Sequence, residues 1–383
     1  MSFSLYIHIP YCHSKCPYCD FNSYAATSWP EDEYVKALCA ELSSRSHEAH
    51  WHGDTIRTIF FGGGTPSLFA PASIARIIEA ADRLFPLESD TEVTLEANPG
   101  TVNLDKLIGF RSAGVNRLSF GAQSFNQATL KFLGRLHSAA DTRAAARMAH
   151  RAGFDRLNLD LIFAVPGQTL EDIAADISEV VALEPDHISA YNLTFEEGTV
   201  FHTEMRRGRI RPLPNDDQGA MYTMVREELP RRGFPMYEIS NYAQPGHESR
   251  HNLTYWHAES YLGLGAGAHS YARDVNGAGG RRWWNERTPA RYISRALEAS
   301  AESGSEKIDP AMAAGEFVFL NLRLREGFRL TAFEQRFGAT FDAIFADRAT
   351  RLFEGGLLQR DADRIRLSDR GLELADSVFA EFL

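Results

Sequence analysis

Residues 6–24 read YIHIPYCHSKCPYCDFNSY. Cys12, Cys16 and Cys19 lie within this stretch, although the 383-residue chain holds only four cysteines. A C-x-x-x-C-x-x-C loop brings three sulfurs together on one short segment, and thiolates so spaced suit zinc or an iron–sulfur cluster. A structural zinc site closes with four ligands, and the nearest further candidates are His8 and His13. A cubane held by three thiolates instead leaves one iron without a protein ligand, open for chemistry. The fourth cysteine, Cys39, stands beside Leu38 and Leu42 in an amphipathic stretch and reads as a small core residue. The loop follows directly on an apolar, β-branched run, SLYIHI (4–9). That is the carboxyl end of a strand, where barrel folds place their active sites. Tyr11, Tyr18 and Phe21 are expected to shield a cluster from water, and burial tunes its potential.

Outward from this loop the first half of the chain alternates strand and helix signals. TIRTIFFGGG (55–64), TEVTLEAN (91–98), VNRLSFGAQ (115–123), FDRLNLDLIFAVPG (154–167) and DHISAYNLTF (186–195) join SLYIHI as six strand candidates. Between them, 31–45, 71–85, 104–114, 139–153 and 169–183 have helical periodicity. This rhythm predicts parallel strands with right-handed crossovers. Six units are too few for a closed eight-fold barrel, so the expected fold is α/β, a partial (β/α)6 barrel over residues 1–240. The rhythm then breaks. Residues 241–308, including HNLTYW (251–256) and the Gly-rich GLGAGAHSY (263–271), read as an irregular connecting segment. From 309 to 383 a helical run leads into a helix end, a hairpin and a final helix. This is a smaller α+β, winged-helix-like unit, read as a packing module and not as a DNA reader.

Composition narrows the function. Hydrophobic residues make up 44% and charged residues 24%, as in ordinary globular proteins with a real core. A net charge of −11 argues against broad nucleic-acid binding, which needs clustered Lys and Arg. No secretion signal or bilayer-length apolar run is read in the sequence, so the expected location is the cytoplasm. Clustered cysteines there bind metal or do redox chemistry more often than they pair.

HIPYCHSKCPYC, followed one unit later by FFGGGTPS (60–67), resembles the radical S-adenosylmethionine superfamily. The likeness is to the subgroup related to oxygen-independent coproporphyrinogen oxidase. It implies that Cys12, Cys16 and Cys19 hold a [4Fe–4S] cluster whose open iron chelates the methionyl group of S-adenosylmethionine. A strand ending in glycines lets the backbone approach a ligand, since no Cβ intervenes. Gly63, Gly64 and Thr65 are therefore candidates for the cofactor's polar end; the competing reading is a plain strand-to-helix turn capped by Ser67. In this family the glutamate matching Glu96 in LEANPG reaches the cofactor. Gln123, Arg135 and Asp160 match further positions near it, and Tyr6 has a counterpart touching it. Tyr6 reads equally as core packing. Asp160, flanked by apolar neighbours, needs a partner, and Arg135 reads either as that partner or as a clamp for a carboxylate.

Two departures bear on the branch. The oxidases carry a further cysteine two residues after the third, where this chain has Phe21 in CPYCDF, and a long arm ahead of the first strand, where it has only a few residues. Both point to the HemW branch, the haem chaperones, as does H-N-x-x-Y-W at 251–256. The resemblance implies haem as cargo, delivered to a respiratory acceptor at peripheral contact with a membrane, and a homodimer by analogy. His251 is the expected axial ligand, with Tyr255 and Trp256 flanking the macrocycle. The bland reading of His251 is a loop hydrogen bond, and His247, His257 and His269 are other ligand candidates. The rival functions are radical oxidative decarboxylation of coproporphyrinogen, which would make this an enzyme, and a zinc-stabilised scaffold.

Overall fold

A computed structural model describes residues 2–275, 277–298 and 300–383. The six expected strands form: β1 Ser2–Ile9, β2 Thr55–Gly63, β3 Leu87–Ala97, β4 Arg117–Gln123, β5 Leu157–Phe163 and β6 His187–Asn192. They pair in that order and all in parallel. The helices between them are α1 Glu31–Arg45, α2 Pro71–Leu84, α3 Leu104–Ser112, α4 Ala139–Arg151 and α5 Leu170–Val181. Helices α4 and α5 open on reciprocal capping boxes, Ser138 with Asp141 and Thr169 with Asp172, which satisfy amides that the first turn leaves free. The sheet is open and not closed into a barrel, in keeping with six units.

Period-two alternation decides what each face carries. On β1, Phe3, Leu5, Ile7 and Ile9 are fully buried and face the helical layer. Ile59 and Phe61, Val93 and Leu95, Leu118 and Phe120, and Leu157 and Leu159 do the same on β2–β5. The alternate positions point into the concave face and are mostly polar. They are Thr94 and Glu96, Arg117 and Ser119, Asn158 and Asp160, and His187 and Ser189. The convex face builds the core and the concave face builds the site.

Residues 241–308 are not irregular. After α6 Asn215–Arg231, β8 Asn241–Ala243 runs antiparallel beside β6, and β7 Met236–Glu238 runs antiparallel beside β8 at the edge. Then α7 Arg250–Trp256 leads to β9 Tyr261–Leu264, β10 His269–Arg273, β11 Gly280–Asn285 and β12 Glu302–Ile308. These four extend the sheet past β1 to twelve strands, in the order β12-β11-β10-β9-β1-β2-β3-β4-β5-β6-β8-β7. Glycine hid them, since glycine weakens a strand signal. Gly263 sits within β9 because a Cβ there would meet the His269 carbonyl oxygen at 2.0 Å.

The C-terminal unit has its own core, built around Phe317, Val318, Phe333, Ile365 and Val378. It packs the helices Pro310–Asn321, Leu330–Phe337 and Phe341–Glu354 against a hairpin, Leu358–Asp361 with Arg364–Leu367. Its residues Leu372–Ser377 close one side of the concave face.

Candidate cofactor site

The cysteine loop begins where β1 ends. Tyr11–Cys12 pairs in parallel with Tyr24–Ala25, and the Cys19 amide donates to the Cys16 carbonyl at 3.1 Å, so the segment between is a closed loop. Its far end is anchored. Asn22 Nδ2 donates to the carbonyls of Ala266 and Arg287, both at 2.9 Å, tying the loop to the β9–β10 turn and to the segment after β11. His8 Nε2 donates to the Asn22 carbonyl at 2.8 Å, which leaves Nδ1 to accept from the Tyr6 hydroxyl at 2.9 Å. Burial holds His8 neutral by lowering its pKa to about 4. Tyr6 is thus one shell behind the site, and it is absent from the lining of both cavities described below.

The glycine run at the end of β2 lines the cavity described below, but its amides are already taken. The amides of Gly63, Gly64 and Thr65 are all committed inside the protein, to Glu96 Oε2 (3.2 Å), the Ile9 carbonyl (2.8 Å) and the Tyr11 carbonyl (2.9 Å). They are not free to bind a ligand. The glycines permit contact between backbones: a Cβ on Gly64 would lie 2.7 Å from the Tyr11 carbonyl oxygen, and one on Gly63 2.4 Å from the His8 ring. Gly63 also has φ +112°, a region that L side chains avoid. Ser67 caps nothing. Its hydroxyl bonds Thr101 at 2.7 Å.

A cavity of about 480 Å3 collects Cys12, Cys16 and Cys19 with Gly63, Gly64, Thr65, Glu96, Gln123, Arg135 and Asp160. Every S-adenosylmethionine candidate except Tyr6 is therefore on one wall system. Among the described residues, no three His, Cys, Asp or Glu side chains close to the spacing of a single-ion site. The sulfurs share a cavity without converging on one ion. Burial raises the Cys12 and Cys19 thiols, opposed by hydroxyl hydrogen bonds from Thr65 and Ser23. Tyr18 lines this cavity, while Tyr11 lies in the core against Trp29, Tyr34 and Phe69. Phe21 is 64% exposed at the mouth, so it rims the site more than it seals it.

Arg135 does not pair with Asp160. Nη1 donates to Cys16 Sγ at 3.3 Å, and Nη2 to the Gly121 carbonyl at 3.0 Å and to Asn98 Oδ1. Asp160 is held by Asn158 Nδ2 at 2.7 Å, with hydroxyl bonds from Ser189 and Ser119. Glu96 is half-buried against the cavity wall and deep in the molecule. Desolvation first, and the Asp160 carboxylate second, push its pKa up to about 8. Two carboxylates face one cavity, and Arg135 on the same wall spends its hydrogen bonds on Cys16, Gly121 and Asn98, an arrangement that suits a cationic ligand. Gln123 takes the left-handed φ of +67° where β4 slips register. Its Oε1 is buried without a partner, as is Arg135 Nε. A cationic sulfonium with an amino-acid end, seated beside three thiolates, would answer both the carboxylates and these orphaned atoms. The residues present fit the implied groups. Asn98, within the quoted LEANPG, and Ser23, beside Cys19, are site residues that the sequence reading did not single out.

Toward α6 and the C-terminal unit the cavity continues into a larger one of about 1180 Å3, sharing Tyr18, Cys19, Phe21, Glu96, Gln123 and Asp160. His251 lies behind this system and not in it. It is 1% exposed, with Nδ1 bonded to Thr58 Oγ1 at 2.7 Å and Nε2 to the Tyr255 hydroxyl at 2.9 Å. Both ring nitrogens are committed, and burial lowers the pKa to about 3. An axial-ligand role for His251 does not match this geometry, and its hydrogen bonds are made from a helix and not from a loop. The sequence pattern is silent on burial here because α7 packs its His251 face onto β2.

Residues 6–180 match the model of the radical SAM superfamily, and 308–374 match that of the HemN C-terminal domain. The chain is 35% identical to the heme chaperone HemW of Lactococcus lactis subsp. lactis, covering 99% of this chain and 97% of that one. It is 36% identical to the heme chaperone HemW of Bacillus subtilis, covering 99% of both. The fold matches that of the Escherichia coli coproporphyrinogen III oxidase HemN, a radical SAM enzyme, with a TM-score of 0.84 at 24% identity, over 100% of this chain and 90% of that one. Full-length likeness at this level, on top of the three-cysteine loop and the site it helps to build, places the chain in the HemW family of the radical SAM superfamily.

Proposed function

We propose that this protein is a haem carrier: it binds haem, holds a [4Fe–4S] cluster on Cys12, Cys16 and Cys19, and passes the haem to a respiratory acceptor at the cytoplasmic face of a membrane. The observation that carries this reading is the contrast in likeness. Identity is 35–36% over nearly the whole chain to proteins named as haem chaperones, against 24% to the oxidase that shares the fold. Phe21, where the oxidases have their additional cysteine, agrees with it.

S-adenosylmethionine, when bound, supplies a cationic chelator for the cluster's open iron. Glu96 and Asp160 offset its charge, Gln123 Oε1 and Arg135 Nε take its polar atoms, and the wall at Gly63, Gly64 and Thr65 shapes the pocket. In this account the cluster serves transfer or dimerisation and not turnover. With His251 committed, the imidazole for haem is His269. His257 bonds Asn321 at 3.4 Å, and His247 faces Asp186 at 3.4 Å. His269 is exposed and lies over Trp284 with ring centroids 5.8 Å apart. Partial burial, then Arg282 and Arg287, keep it neutral by lowering its pKa, the form that ligates metals. Arg287 suits a haem propionate, whereas Arg282 is already held by Glu306 at 3.0 Å and Glu316 at 2.6 Å.

The test is anaerobic incubation of the reduced, cluster-loaded protein with coproporphyrinogen and S-adenosylmethionine, beside a haem titration. The carrier reading expects haem uptake and no decarboxylation. Formation of protoporphyrinogen would replace it with the enzyme. Zinc in place of iron and acid-labile sulfide would replace it with the scaffold.

A further inference from the structure

Each thiol of the cysteine loop has its own side-chain donor. Thr65 Oγ1 stands 3.5 Å from Cys12 Sγ, Arg135 Nη1 3.3 Å from Cys16 Sγ, and Ser23 Oγ 3.7 Å from Cys19 Sγ. Two of these donors share one partner. Asn98 Nδ2 donates to Thr65 Oγ1 at 3.0 Å, and Asn98 Oδ1 accepts from Arg135 Nη2. A primary amide has a donor arm and an acceptor arm on one rigid plane, so it can hold a hydroxyl and a guanidinium together. Because the Thr65 oxygen accepts from Asn98, its own proton is left for sulfur. Because Nη2 is held by Asn98 and by the Gly121 carbonyl, the guanidinium plane is fixed and Nη1 is aimed at Cys16. Gly121 makes room for this: a Cβ there would lie 3.2 Å from Nη2. Asn98 itself is placed by β3, two residues beyond Glu96, on the same face of the alternation.

We infer that Asn98 is a positioning residue for the thiolates: through Thr65 and Arg135 it sets the hydrogen bonds on Cys12 and Cys16, and with them the reduction potential of the cluster. The inference rests on the cluster assignment of the proposed function. Hydrogen bonds to the ligating sulfurs are one of the protein's levers on cluster potential. A donor, above all a cationic one, stabilises the reduced and more negative state. Weakening either donor therefore lowers the potential.

The test is a redox titration of anaerobically reconstituted protein without S-adenosylmethionine, followed by the spectrum of the reduced cluster. Asn98→Ala is expected to keep its iron and sulfide but titrate at a more negative potential than the wild type. In an Arg135→Gln background the same substitution is expected to shift the potential less, because one of its two routes is already gone. Thr65→Val, isosteric and without the hydroxyl, is the second variant should Asn98→Ala fail to take up cluster, and it too is expected to titrate lower. A potential unmoved in both Asn98→Ala and Thr65→Val, or fully additive shifts in the double variant, overturns the inference. A wild-type protein that assembles no cubane sinks the cluster assignment itself, and an intact cluster indifferent to Asn98 sinks this inference alone.

Discussion

Ionising Glu96 is unfavourable in the free protein, and a cationic ligand can offset that. The Glu96 carboxyl is raised to about 8 by desolvation and by Asp160, so below that pH the free protein holds it protonated. A cationic ligand favours the ionised form, so binding releases a proton and affinity rises with pH. The expected result for S-adenosylmethionine, measured by calorimetry between pH 6 and 8, is an affinity gain of up to roughly tenfold per pH unit, levelling near pH 8. Glu96→Gln should bind more weakly with a flattened profile. Equal slopes in the two proteins would remove Glu96 from the site. Histidines divide in the same residue-level way. His251→Ala deletes two buried hydrogen bonds and should cost about 1–3 kcal/mol of stability, read by thermal melting. His269→Ala should leave the melt alone and weaken haem binding with a displaced Soret band. If His251→Ala proves the one that loses haem, the protein opens around α7 on binding.

At the scale of elements, the end of β2 and the start of the cysteine loop are built as one piece. Gly64→Ala puts a methyl group 2.7 Å from the Tyr11 carbonyl oxygen, and backbone cannot yield as a flexible side chain does. The loop should shift and cluster uptake on reconstitution should fall sharply, read as iron and sulfide per chain. Full uptake would mean that the loop is not held by this contact. The same elements divide what could be read in advance from what could not. Alternation in TEVTLEAN and the helical periods between strands located β1–β6 and α1–α5, because those segments each bury one face. The strands β9–β12 were missed because glycines at 263 and 280 and a run of aromatics and arginines obscure the period of two. The site candidates were legible as types at strand ends. Their partners were not: Arg135 bonding Cys16 instead of Asp160, and the amides at Gly63–Thr65 already spent, depend on distances between strands that no local pattern encodes.

At the scale of the whole molecule, the concave face of the sheet is roofed by α6 and the C-terminal unit. The result is a cavity of about 1180 Å3 that opens onto the cluster loop through shared walls. The C-terminal unit contributes Leu372–Ser377 to that roof, so it is part of the enclosure and not an appendage. Among the described residues no helix is long and apolar enough to cross a membrane. The strands β9–β12 connect the two ends of this account: Asn22 of the cluster loop is tied to Ala266 and Arg287, on either side of His269 and Trp284. A haem seated there would lie against the residues that anchor the cysteine loop. The most direct measurement is a haem titration of the anaerobically prepared, cluster-loaded protein, followed at the Soret band. The account predicts saturation at a single equivalent, with a band distinct from that of free haem. Absorbance that grows linearly as free haem, with no saturation, would contradict it.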